Sequence, residues 1–164
     1  MNLSDEMVQV LRNSVLAWLA TVDADGWPNV SPKEIFAPYT DPAGITAAIA
    51  IADIASPISV SNLRINPRAC LSAVDIFRQV GYKVQGHVRI IAPCDAAFTE
   101  VSRGLLELTG GQYLVRHVLL LEVEQVRRIM APSYHLFPER SEAQRVAQAM
   151  QAYGVQPVEP PTHS

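Results

Sequence analysis

The apolar pattern along this chain changes period several times, and each change marks an element. Behind Ser4, the residues Met7, Val10 and Leu11 recur at helical spacing. Ser4 suits the N-cap, and Asp5 and Glu6 suit the positive end of the helix dipole, so a first helix is expected to about Asn13. Residues 15–22 (VLAWLATV) are apolar and rich in β-formers and predict a strand. Asp23-Ala24-Asp25-Gly26 is turn chemistry, and residues 27–36 form the expected return strand of a hairpin. Pro28 and Pro32 interrupt that strand. Each lacks an N–H, so the strand belongs at an edge or a bulge, with backbone groups free for another partner.

Residues 39–44 (YTDPAG) predict a second turn, and residues 45–52 (ITAAIAIA) a buried strand. Its alanines permit close approach of another backbone or of a flat ligand. Ser56-Pro57 has the form of an N-cap followed by proline at the first helical position, and the helix ends before Pro67. Strands are expected at 69–76, 82–91 and 115–126, and a helix from Asp95 to about Leu108, closed by Gly110-Gly111. Ser141-Glu142-Ala143-Gln144 matches a capping box, opening a last helix that ends at Tyr153 before Gly154. About six hairpin-linked strands with sparse helices and no βαβ rhythm predict an antiparallel barrel, mainly β or α+β. It spans residues 1–155 as one domain, and residues 156–164 are a Pro-rich tail without an expected fold.

Composition narrows the function. The 164 residues carry a net charge of −3, which argues against a nucleic-acid binder. No apolar run approaches the roughly 20 residues that cross a bilayer. The N-terminus lacks the basic head and apolar stretch of a secretory signal, and the two cysteines, Cys70 and Cys94, form neither a disulfide framework nor a zinc motif. A reduced cytoplasmic protein is the expectation. The four histidines show no metal-ligand spacing, and no glycine-rich phosphate loop is present.

Two features remain. Of 13 cationic side chains only Lys33 and Lys83 are lysines, and each falls in a predicted strand, where lysine is not favoured. A solvated strand face is the plain explanation for either. Ser56, Ser59, Ser61 and Asn62 crowd the first turns of one helix, where free N–H groups and the dipole suit a phosphate. Ser56 acting as a cap alone is the alternative.

Taken together, residues 19–36 (LATVDADGWPNVSPKEIF), 51–75 (IADIASPISVSNLRINPRACLSAVD) and 81–91 (GYKVQGHVRII) resemble the pyridoxamine 5′-phosphate oxidase-like family of FMN-binding split barrels. The likeness covers about residues 3–155 and is stronger for a short bacterial branch described as oxidase-related. It implies a six-stranded split β-barrel with flanking helices, assembled as a homodimer with FMN at the subunit interface. It places flavin contacts on Asn29, Ser31, Pro32, Lys33 and Glu34, on Ile51, Ala52 and Asp53, and on the helix start at Ser56, Ser59 and Asn62. Lys83 falls on the strand that passes the phosphate or ribityl chain, and Trp27 and Phe36 are expected to shape the pocket.

Two departures bear on the activity. The Arg-Lys pair that grips the flavin phosphate in the vitamin-pathway oxidases is replaced by Ile58 and Ser59, so the charge must come from Lys33, Lys83, Arg64 or Arg68. The run that binds substrate phosphate in those oxidases is missing, which argues against pyridoxamine phosphate oxidation. The resemblance therefore implies an FMN-dependent oxidoreductase acting on an unidentified small-molecule substrate. A non-catalytic flavin-binding electron carrier and a deazaflavin- or haem-binding relative are the alternatives, with His87 and His135 as the candidate haem ligands.

Overall fold

The computed structural model describes residues 2–158; the tail expected at 156–164 lies outside the described residues from position 159 onward. Helix α1 (Asp5–Asn13) forms on the predicted spacing. The Ser4 hydroxyl accepts from the Met7 N–H, and Met7, Val10 and Leu11 are buried. The strands are β1 (Ala17–Val22), β2 (Pro28–Lys33), β3 (Phe36–Thr40), β4 (Thr46–Asp53), β5 (Arg68–Asp75), β6 (Val80–Ile91) and β7 (His117–Met130). Between and after them come α2 (Pro57–Ile65), α3 (Phe98–Thr109), α4 (Ser133–Leu136) and α5 (Glu142–Tyr153).

One antiparallel sheet of seven strands runs in the order β2-β1-β5-β6-β7-β4-β3. Its edges are β2 and β3, yet only Glu34 and Ile35 separate them along the chain. Three Cα–Cα steps reach at most about 11 Å. The sheet must therefore curl until its edges nearly meet, and because β2 and β3 do not pair, the barrel stays split at that seam.

The expected split barrel is found, with seven strands in place of six. The extra one comes from the segment that reads as a single return strand at 27–36. Its first part is edge strand β2, where the missing N–H groups of Pro28 and Pro32 cost no second ladder. Its last residue, Phe36, is 5% exposed and instead pairs with Ile51 on β4, so it belongs to the barrel core and not to a pocket wall. Tyr39 and Thr40, expected in a turn, extend β3; the turn itself falls at Asp41–Gly44, closed by the Gly44 N–H to Asp41 O.

Two apolar layers result. Leu19, Ile49, Ile51, Leu71 and Leu119 fill the barrel, and Met7 and Leu11 of α1 pack into the same core. On the other face of β4, Ala48, Ala50 and Ala52 meet Val101 and Leu105 of α3, so the alanine stripe admits a helix. That helix begins at Phe98, later than expected, because Asp95 is spent in a turn with its carboxylate on the Ala92 N–H. Strand β7 runs on to Met130 because β6 continues to pair with it beyond the bulge at Gln85/Gly86. A Cβ on Gly86 would lie 1.9 Å from the Glu122 carbonyl oxygen, which restricts that position to glycine. The capping box opens α5 as predicted, and Arg145 of that helix donates to the Phe137 carbonyl while its guanidinium lies over the Tyr134 ring. Among the described residues no helix is long and apolar enough to cross a membrane.

Candidate functional site

The seam is where chemistry collects. Lys33 closes β2, and strand alternation turns it, with Ser31 and Asn29, toward α2. Its ammonium donates to Ser31 Oγ at 2.8 Å and to Ser56 Oγ at 2.9 Å, and Ser31 Oγ lies 2.9 Å from Ser59 Oγ. Lys33 is 5% exposed and forms no ion pair with a described carboxylate. Burial pulls its pKa below the ordinary lysine value of 10.5, partly offset by the charge of Asp53. The ammonium is held by two hydroxyls, and among the described residues no carboxylate pairs with it directly, Asp53 acting on it only from beyond contact.

Ser56 is not the side-chain cap that its position suggested. No side chain accepts from the first turn of α2, and the hydroxyl is turned to Lys33 instead. The local anchor is Asp53, the last residue of β4 and 3% exposed. Its Oδ1 accepts the Ser56 N–H at 2.9 Å, and its Oδ2 lies 2.8 Å from His117 Nδ1 on the paired strand β7. One carboxylate thus fixes both the entrance of α2 and an imidazole.

A groove of about 240 Å³ opens at this point, lined by Pro32, Lys33, Glu34, Ala52 and Ser56, with Tyr113 closing it from the loop before β7. Ser31, Asp53 and Ser59 stand behind that lining through the hydrogen bonds above. The remaining sequence-derived site residues lie elsewhere. Ile51 is fully buried in the barrel core. Asn29 and Asn62 both donate to Thr21 Oγ1, at 3.4 Å and 3.1 Å, and so tie β2 and α2 to β1.

Lys83 faces away. Lys33, Ala17, Ala73 and Tyr82 form one cross-strand row, and Pro32, Trp18, Ser72 and Lys83 the next, so the two lysines point to opposite faces of the sheet. The reasoning from sequence missed His117 and Tyr113. His117 joins Asp53 only through the β4–β7 register, a pairing that no local motif announces.

The pyridoxamine 5′-phosphate oxidase family profile matches residues 3–137. No curated protein matches the chain. Among solved structures the chain is similar to HupZ of Group A Streptococcus, at 23% identity and a TM-score of 0.64, covering 79% of this chain and 95% of that one. It is also similar to an FMN-binding protein from Syntrophomonas wolfei, at 14% identity and a TM-score of 0.63, covering 77% and 86%. A third likeness is to HutZ, the haem storage protein of Vibrio cholerae, at 22% identity and a TM-score of 0.56, covering 79% and 95%. At these identities the structural likenesses show a shared fold.

Proposed function

The chain belongs to the pyridoxamine 5′-phosphate oxidase family, and from that premise we propose that it is an FMN-binding flavoprotein catalysing a redox reaction on a small substrate. The observation that carries this reading is the Lys33 ammonium, buried at the barrel seam between Ser31 and Ser56 with no carboxylate in contact with it among the described residues. A phosphate supplies a counter-ion there. The residues present fit the group: Lys33, Ser56 and the uncapped first turn of α2 are the phosphate donors, and the unpaired side of edge strand β2 offers backbone groups to a ring. Ala52 leaves the groove wall low enough for a flat ligand.

When bound, FMN supplies reversible hydride and electron transfer. The chain contributes anchoring, ring orientation and one fixed positive charge. Trp18 and Val30, 45% and 57% exposed on the sheet face opposite Lys33, favour a second copy packing there, and a homodimer is part of this proposal.

The absorption spectrum of purified protein tests the assignment. Flavin bands, restored by added FMN after stripping, support it; colourless protein that takes up no FMN overturns it. Anaerobic reduction followed by exposure to candidate acceptors separates an enzyme, which turns over, from an electron carrier, which exchanges one stoichiometric charge of electrons. A haem-binding reading is favoured by the likeness to HutZ, and a Soret band in place of the flavin bands identifies it.

A further inference from the structure

Tyr113 is the one aromatic side chain among the residues that line the seam groove. Phe36, expected there from the resemblance, is spent on the barrel core. Most other rings are engaged too. Tyr39 donates to Glu100, Tyr134 donates to the Arg78 carbonyl and lies under the Arg145 guanidinium, and Phe77 meets Tyr153 edge-on. Tyr113 has no ring, cation or hydrogen-bond partner of that kind among the described residues, and it is 51% exposed.

The backbone holds the ring at the groove. Helix α3 ends on Gly110 and Gly111, left-handed at φ 55° and 74°, which reverses the chain. The Gln112 N–H closes back on the carbonyl of buried Thr109 at 3.0 Å. On the far side Val115 is buried in the α3 layer, and the Arg116 N–H donates to the Asp53 carbonyl at 2.8 Å. The Asp53 carboxylate accepts the Ser56 N–H, so one residue fixes both the groove's serine and the segment that carries Tyr113. Only Gln112 to Leu114 lie between the two anchors.

A half-exposed aromatic ring with nothing to pack against gains most from a planar ligand in the groove that it lines. Pro32, Ala52 and Ala55 are small and leave room beside it. The phosphate has its donors in Lys33 and Ser56. A neutral phenol face adds little to a dianion, whereas a flat π-system buries against it and stacks.

We propose that Tyr113 lays its ring on the isoalloxazine and is the residue that covers the bound flavin. This rests on the flavoprotein reading above and adds to it the wall that the sequence left unassigned. One consequence is optical. An excited flavin takes an electron from a phenol in van der Waals contact and returns it, so the bound flavin is dark.

FMN and riboflavin are titrated into full-length wild type, Tyr113→Leu and Tyr113→Phe, with affinity read by calorimetry and flavin emission by fluorescence. Wild type should bind FMN with most of its emission quenched. Tyr113→Leu should restore the emission of bound FMN and weaken FMN and riboflavin alike, by roughly three- to tenfold. Tyr113→Phe should keep the affinity within about twofold yet lose the quenching, since a phenyl ring stacks but gives up no electron. Ligand-free melting temperature should not move in either variant. Trp27→Phe, outside the groove lining, should change neither affinity nor emission. Bound FMN as bright as free FMN in wild type, quenching that survives in Tyr113→Leu or vanishes in Trp27→Phe, or a loss of affinity confined to FMN overturns the proposal. So does a marked fall in the melting temperature of ligand-free Tyr113→Leu, which would assign the ring to the fold. Wild type that takes up no FMN contradicts the flavoprotein reading, and this inference with it; FMN bound with its emission indifferent to Tyr113 contradicts this inference alone.

Discussion

Lys33 Nζ lies 2.9 Å from Ser56 Oγ, so the last residue of the edge strand β2 grips the residue that opens α2. The contact spans 23 residues of sequence and sits where the barrel fails to close. It is a poor way to stabilise a fold, since a desolvated ammonium gains little from two hydroxyls. It is a good way to hold positive charge ready for an anion.

Lys33→Met therefore separates binding from stability. Removing a buried charge that has no ionic partner among the described residues leaves the melting temperature of ligand-free protein unchanged or higher. FMN affinity falls by roughly ten- to a hundredfold, the worth of one charged hydrogen-bond donor. Calorimetry and flavin fluorescence quenching measure the two effects on the same sample.

The depressed Lys33 pKa also fixes a pH dependence. The folded state releases this proton below 10.5 while the unfolded chain keeps it, so the unfolded state binds more protons in that window. The contribution to stability is fully present above 10.5 and is lost as pH falls through the folded value. Wild type should gain stability relative to Lys33→Met as pH rises toward 10.5 in denaturant titrations; a constant difference contradicts the burial of the charge.

Asp53→Ala should be among the more damaging single changes at the site, at about 2–3 kcal/mol, because it strips the acceptor from both the Ser56 N–H and His117. Asp53→Asn keeps one acceptor oxygen and should lose less. Urea unfolding compares the two, and equal losses contradict the anchoring role.

Thr21→Val tests which asparagines are structural. It removes the hydroxyl that Asn29 and Asn62 share and leaves the buried Asn62 amide without its partner, at a cost of about 1–3 kcal/mol. FMN affinity should stay within a factor of about two, since neither amide is turned to the groove. A large loss of affinity returns Asn29 and Asn62 to the binding set.

Much of this was legible in the chain. Ser4, Ser141 and Gly154 announced helix ends because capping is local chemistry, read over three or four residues. Pro28 and Pro32 announced an edge strand for the same reason. The break after Lys33 was not legible, because Phe36 leaves the hairpin only to satisfy a core on the far edge of the sheet. The resemblance assigns Ser31, Lys33 and Ser56 to one site, and hydrogen bonds join the three at the seam. It did not separate Lys33 from Lys83, which share a block-level likeness but occupy rows of opposite parity. Ser56 misled as a cap because its hydroxyl is taken by Lys33, a neighbour in space and not in sequence.

The most direct measurement is a pair of titrations, FMN and riboflavin, into ligand-free wild type and Lys33→Met. A seam built around a waiting cation predicts that wild type prefers FMN to riboflavin by at least about tenfold and that the preference collapses in the variant. Equal affinities for the two flavins in wild type, or a preference that survives the loss of the ammonium, would contradict it.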